Sequence, residues 1–359
     1  VTAAVFSAAA NDVALDALFV PFTTGVLSMP ADRRVLFLRA RDGFRLREMA
    51  QPGWLCQQSF KPFADALIRA GLHVSTGDSD ENERYPLVLI LPPRQRDEAR
   101  ALFARAVQQT APGGVVLASM PNTEGAKSGE ADLTRLAGAV GHLSKHKCRV
   151  FWTQPLQGAA DPSLLDEWLA LDVPRQNAAG YVSRPGLFAW DRVDTASALL
   201  AAHLPATLSG RVADLGAGYG YLSAQVLARC PQVSSIDLYE AEARALAPAR
   251  INLANAVRER GNDASFALHW HDVASGGLPQ HYDAIVSNPP FHQGRADLPD
   301  LGRAFIHAAA DALQPGGSFW LVANRHLPYE ATLSARFSAV HTVAIQEGFK
   351  VIQASGVRV

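Results

Sequence analysis

The chain has 359 residues, 48% of them hydrophobic and 19% charged, with a formal net charge of −1. It is long enough for two domains of ordinary size, and its near-neutral charge excludes a globally basic nucleic-acid binder, so any such partner must be met by local patches. Three well-separated cysteines, Cys56, Cys148 and Cys230, match no zinc spacing and suit a reducing cytoplasm; no metal is expected, and no apolar run reaches membrane-spanning length.

Residues 1–22 are Ala-rich and apolar, but Asn11, Asp12 and Asp16 interrupt them and no basic segment precedes them, so they do not read as a signal peptide. The next landmarks gain meaning when laid against the second half. Residues 34–44 match 211–221 in pattern, 85–94 match 282–291, and 111–118 match 314–321. Each pair is a strand with its turn, in the same order, which predicts an internal duplication of one α/β domain.

The copies differ at the positions that carry chemistry. Phe37 stands for Asp214, Arg39 for Gly216, Arg41 for Gly218 and Leu91 for Asn288. Two arginines in place of glycines bar a ligand from the backbone, so the first copy is expected to be inert as a cofactor site. It keeps charge: Arg33, Arg34, Arg39, Arg41, Arg45 and Arg47 cluster near Asp32, Asp42 and Glu48, and Lys145, His146, Lys147 and Arg149 form a second basic run. Both read as candidate RNA-phosphate patches, with solvated faces as the bland alternative. Turn and linker chemistry over 153–186 flanks a short predicted helix at 164–171 and puts the boundary near residue 180, giving domains 1–180 and 181–359.

The second half alternates strands and helices. A strand over 211–215 runs into Gly216-Ala217-Gly218-Tyr219-Gly220 and a helix over 221–230. This turn lets the backbone pass close to a nucleoside, in the S-adenosylmethionine form more than the dinucleotide form. A second strand, 233–238, should end in an acid for the ribose hydroxyls; Glu240 fits the spacing, with Asp237 as the alternative. Asp272, after a strand over 265–270, reads equally as a contact for an adenine amine or as a turn former. Residues 284–287 form a buried strand leading into Asn288-Pro289-Pro290-Phe291, whose prolines hold the carbonyls in set directions. The Asn288 side-chain oxygen and the Pro289 carbonyl can accept the two N–H bonds of a planar amine while Phe291 stacks on its ring.

Asp214-x-Gly216-x-Gly218-x-Gly220, the acid near 240, Asp272 and Asn288-Pro289-Pro290-Phe291 resemble the class I S-adenosylmethionine-dependent methyltransferases of exocyclic amines. Pro185-Gly186-Leu187-Phe188 with Asp191 and Asp194, the Ser287–His292 stretch and Ala323-Asn324-Arg325-His326-Leu327-Pro328-Tyr329 are similar to the ribosomal RNA guanine-N2 methyltransferases of the RsmC and RlmG type. Ala196, where that family usually has Gly, and Glu240, where it usually has Asp, are mild departures.

The resemblance implies two tandem Rossmann-like methyltransferase domains, the first degenerate and positioning RNA. It implies methyl transfer from S-adenosyl-L-methionine to guanine N2, with small-subunit (16S) ribosomal RNA or an assembly particle as partner and a cytoplasmic monomer as the working form. Asn288, Pro289 and Phe291 are the expected catalytic set; Asp214, Gly216, Gly218, Gly220, Glu240, Asp272 and Asn288 hold the cofactor; Phe291, Pro290, Arg325 and Lys350 meet the substrate. Large-subunit guanine-N2, adenine-N6 and protein glutamine methylation, or a non-catalytic RNA-binding protein, stay open as alternatives.

Overall fold

A computed structural model describes residues 12–77, 83–261, 264–290, 292, 293, 296, 297 and 299–358. The chain divides into two units at Pro174 rather than near residue 180. The linker-like composition therefore belongs partly to the second unit, where Arg175–Gln176 and Val182–Ser183 form a small antiparallel hairpin. Asn252 holds that hairpin: its side-chain oxygen accepts from Val182 N and its amide donates to the carbonyls of Val182 and Tyr219.

The first unit is built on a seven-stranded sheet of β1 (Val35–Leu38), β2 (Trp54–Gln57), β3 (Val74–Ser75), β4 (Tyr85–Ile90), β5 (Thr110–Pro121), β6 (Val140–Lys145) and β7 (Cys148–Thr153), in the order β3-β2-β1-β4-β5-β7-β6. β1 is buried along its whole length, as a central parallel strand covered on both faces must be. Only β7 runs antiparallel to both its neighbours. The β6–β7 turn places His146 and Lys147 at φ 52° and 59°, the left-handed region that favours glycine.

In the second unit, after the hairpin strands β8 (Arg175–Gln176) and β9 (Val182–Ser183), come β10 (Ser209–Leu215), β11 (Gln232–Glu240), β12 (Ser265–Trp270), β13 (Tyr282–Ser287), β14 (His292–Gln293), β15 (Ala296–Asp297), β16 (Leu313–Asn324), β17 (Phe337–Gln346) and β18 (Phe349–Val357). The main sheet runs β12-β11-β10-β13-β16-β18-β17, the same order as the first with the same antiparallel end. Registers agree as well: Leu38 pairs with Ile90 as Leu215 pairs with Ser287. The duplicated α/β architecture is thus present in two complete sheets.

Strand order reverses between β10 and β13, so chains leaving their C-terminal ends diverge and open a crevice there. One face of this sheet, with Val212, Ile236, Leu238, Ala284 and Val286, packs on helices Thr195–His203, Tyr221–Arg229 and Leu246–Arg260. That layer fixes where the crevice opens, because Ser287 closes its base by donating its buried hydroxyl to the Leu215 carbonyl at 2.7 Å.

Candidate functional site

The glycine turn after β10 is stitched to the neighbouring strand end. Gly216 N and Ala217 N both donate to the Tyr239 carbonyl, at 2.8 and 3.2 Å, and Gly218 N donates to Glu240 Oε2 at 2.7 Å. All three glycines have positive φ, but the room around them differs. A Cβ at Gly218 would meet nothing within 4 Å, whereas one at Gly220 would lie 2.6 Å from Leu253. Gly218 therefore faces open space that a ligand can fill; Gly220 lets the turn pack against helix Leu246–Arg260. Asp214, buried at the end of β10, accepts from Ser223 Oγ at 2.6 Å.

Asn288 begins the loop after β13 and lines the same cleft as Asp214, Gly216 and Gly218. Its Nδ2 donates to Asp194 Oδ2 at 2.9 Å and to Ser197 Oγ at 2.8 Å. A carboxylate can only accept, so the NH₂ side of the amide must face Asp194 and the oxygen must face away. That oxygen, Oδ1, is buried and has no hydrogen-bond partner among the described residues. Asp194 is itself fixed, because it caps helix Thr195–His203 by accepting from Ser197 N at 2.8 Å. In the sequence Asp194 stands only as part of a motif, and nothing marks Ser197. Their contact with Asn288 spans more than ninety residues, 94 and 91 respectively, and no local pattern announces it.

The other expected positions separate. Glu240 is the acid at the glycine turn; its Oε1 also accepts from Glu242 N at 2.7 Å. Asp237 instead accepts from the Tyr282 hydroxyl at 2.8 Å. Asp272 closes its own turn on Ala274 N and Ser275 Oγ, so it is a turn former, with a lone pair left on each oxygen as on Glu240. Pro289 is buried, Pro290 and Arg325 are exposed, and Phe291 lies outside the described residues.

Lys350 needs correction as a phosphate contact. It is 4% exposed, donates to the Leu327 carbonyl at 2.8 Å and pairs with Glu330, which ties down the segment after β16. The arginines of the 33–47 cluster also have partners, but mostly on the surface. Arg33 binds Gln51, Arg34 pairs with Glu83, Arg39 with Glu98, Arg41 with Asp12, Arg45 with Glu48 and Arg47 with Asp42. Arg149 pairs with Glu130. Arg39 keeps the left-handed backbone of the glycine it replaces, at φ 54°. Gln58 spans the vestigial turn, donating to Ala40 O and accepting from Phe60 N.

Burial pushes the Asp214 carboxyl up from 3.8 to about 7, against the Ser223 hydroxyl bond, and the charge of Glu240 adds to the rise. Burial raises Glu240 also, opposed by the N–H groups of Glu242 and Gly218. A carboxyl with a raised native pKa holds its proton more tightly folded than unfolded. Its contribution is complete below the unfolded value of 3.8 and is lost as pH rises through about 7. The ligand-free protein should therefore lose thermal stability between about pH 4 and pH 8, and Asp214→Asn should flatten that slope. Melting curves that shift equally with pH in both proteins would show that Asp214 is ionised throughout.

Among the described residues no group of three or more His, Cys, Asp or Glu is placed to hold a metal, and no helix is long and apolar enough to cross a membrane. The family model "Methyltransferase small domain" matches residues 179–353. A "Ribosomal RNA small subunit methyltransferase C" of Shewanella baltica (strain OS195) is 31% identical over 298 residues, 81% of this chain and 82% of that protein. Its namesake in Shewanella sp. (strain MR-4) is 32% identical over 276 residues, 75% and 77% of the two chains. The solved T. thermophilus 16S rRNA N2 methyltransferase, in complex with AdoMet and guanosine, is similar in fold across both units. Its TM-score is 0.75 at 22% identity, over 96% of this chain and 92% of that one.

Proposed function

The chain belongs to the ribosomal RNA small subunit methyltransferase C family, and from that membership we propose that it methylates the exocyclic N2 amine of a guanine in 16S ribosomal RNA. It draws on S-adenosylmethionine and works as a cytoplasmic monomer on the RNA or an assembling particle. The observation that carries this reading is Asn288, whose buried Oδ1 has no hydrogen-bond partner among the described residues and which lines a cleft together with Gly218.

S-adenosylmethionine, when bound, supplies an electrophilic methyl on a sulfonium. The chain's part is to make a poor nucleophile react. The guanine amine is conjugated with its ring, and accepting its N–H bonds at Asn288 Oδ1 and the Pro289 carbonyl turns the lone pair out of that conjugation. The Asp194 carboxylate, bonded to Nδ2, polarises the amide and makes Oδ1 the stronger acceptor. As nitrogen gains the methyl it becomes acidic and releases one proton to water, so no strong base is required. Gly216 and Gly218 give the cofactor's backbone cradle, and Glu240 stands where ribose hydroxyls would meet the turn. The target base must be unstacked to reach this depth.

For the first unit, of the two basic runs the β6–β7 tip is the one whose charges have no acidic partner among the described residues. Lys145, His146 and Lys147 are exposed and pair with no acid among the described residues. Their turn is also strained for non-glycine residues, at φ 52° and 59°.

One assay tests both levels. The purified chain, given S-adenosylmethionine and 16S RNA, should yield N2-methylguanosine on nucleoside mass mapping; N6-methyladenosine instead would overturn the substrate. A Lys145→Ala/Lys147→Ala variant should raise KM and reduce the log–log salt slope by roughly one to two, with cofactor affinity constant. An unchanged slope would remove the tip from the RNA interface.

A further inference from the structure

We infer that Phe188 is an aromatic face of the slot that receives the target guanine, an assignment that rests on the guanine-N2 reading above. Phe188 is 68% exposed, a costly state for a phenyl ring, and it lines the cleft shared by Asn288, Asp194 and Gly218. Its neighbours in sequence do not share that position. Leu187 is buried, and the Trp190 ring lies 5.0 Å from the Arg175 guanidinium. No cation or ring covers Phe188 among the described residues, whereas the comparably exposed Phe44 of the first unit lies under Arg45.

The ring is also held there. Ala189, the next residue, sits at φ 47°, in the left-handed region that alanine avoids, and Gly186 sits at φ 90°. The loop is pinned at both ends: Arg244 donates to the Pro185 carbonyl at 3.0 Å, and the Tyr219 hydroxyl donates to the Arg192 carbonyl at 3.0 Å. Strained backbone kept rigid around one exposed aromatic is the pattern of a presented contact. Two flat ligand parts compete for it, the cofactor's adenine and the target base. The cleft around Phe188 is lined by Asn288 and Asp194 and by Gly216 and Gly218 of the cofactor turn, but by neither Glu240 nor Asp272, so the ring borders the end where methyl donor and amine would meet rather than the ribose and adenine end. A base gripped at its N2 edge by Asn288 needs a π-face on its ring, and an unstacked base recovers stacking energy there.

Phe188→Ala should raise KM for 16S RNA roughly ten- to a hundredfold, the range of one base–aromatic stack, with the dissociation constant of S-adenosylmethionine unchanged. Phe188→Tyr should restore KM to within a few-fold of wild type. The side chain is exposed, so its truncation leaves no core cavity, and equal melting temperatures should confirm intact folding. A wild-type chain that methylates while Phe188→Ala keeps its KM would overturn this inference alone. Weakened cofactor binding with KM for RNA unmoved would overturn it too, assigning the ring to adenine. A wild-type chain that leaves N2 unmodified would instead remove the parent reading, and this inference with it.

Discussion

Asn288→Ala should lower kcat on 16S RNA roughly 100- to 1,000-fold, the scale of one lost preorganised polar contact, about 3–4 kcal/mol, while cofactor affinity stays within a few-fold. The large effect follows from preorganisation. The acceptor is held by Asp194 and Ser197 before substrate arrives, so no reorganisation is needed when the amine binds. Asn288→Asp sharpens the test. It keeps an acceptor but loses the donor, and brings a second carboxylate to the place where Nδ2 now lies 2.9 Å from Asp194. Like charges at that distance raise the proton affinity of the pair, so the Asp variant should be nearly as impaired as Ala at neutral pH. If both variants turn over within a few-fold of wild type, Asn288 does not hold the amine.

Gly218→Arg should abolish measurable S-adenosylmethionine binding, a loss of more than about 100-fold, yet leave a folded protein. A side chain there enters open space rather than packed atoms, at the cost of a left-handed backbone, roughly 1–3 kcal/mol. The first unit carries Arg41 at this position in a sheet of the same order, though without the positive φ of Gly218. Calorimetric titration of the variant beside its circular-dichroism melt separates the two effects. Undiminished affinity would mean that this turn is not the cofactor's cradle. Gly220→Arg is no substitute for this experiment, since its Cβ would collide with Leu253 and the variant would fail by packing.

What was legible in the sequence follows a physical rule. The strands ending in Leu215 and Ser287 and the helix Tyr221–Arg229 were readable because apolar runs and glycine turns are local signals, and the duplication was readable because it repeats them in order. The side-chain contacts were not. Lys350 looks like a surface cation in any window of sequence; its partner Glu330 lies 20 residues away on another element. Arg34 and Arg39 find their acids 49 and 59 residues away, so part of what reads as a basic cluster in one dimension is paired in three. The boundary moved to Pro174 because the Arg175–Gln176 and Val182–Ser183 hairpin, short and polar, resembles linker until Asn252 clamps it. Asp12 caps helix Val13–Leu18 through Leu15 N as Asp194 caps its own helix through Ser197 N, so both copies keep the acid.

That shared acid has a different partner in each copy. With Asn288 replaced by Leu91, Asp12 turns to Arg41, whose guanidinium grows out of the vestigial glycine turn, and Glu98 does the same for Arg39. Counter-charges that the second unit leaves to be met from solution are built into the first as covalent parts of the chain. By mass action, a site that binds only the folded state gains about 2.7 kcal/mol at a hundred times its dissociation constant. A methyl donor bound at the second unit's turn would therefore add to that unit's resistance to unfolding, where the first unit has the fixed Asp12–Arg41 and Glu98–Arg39 pairs instead.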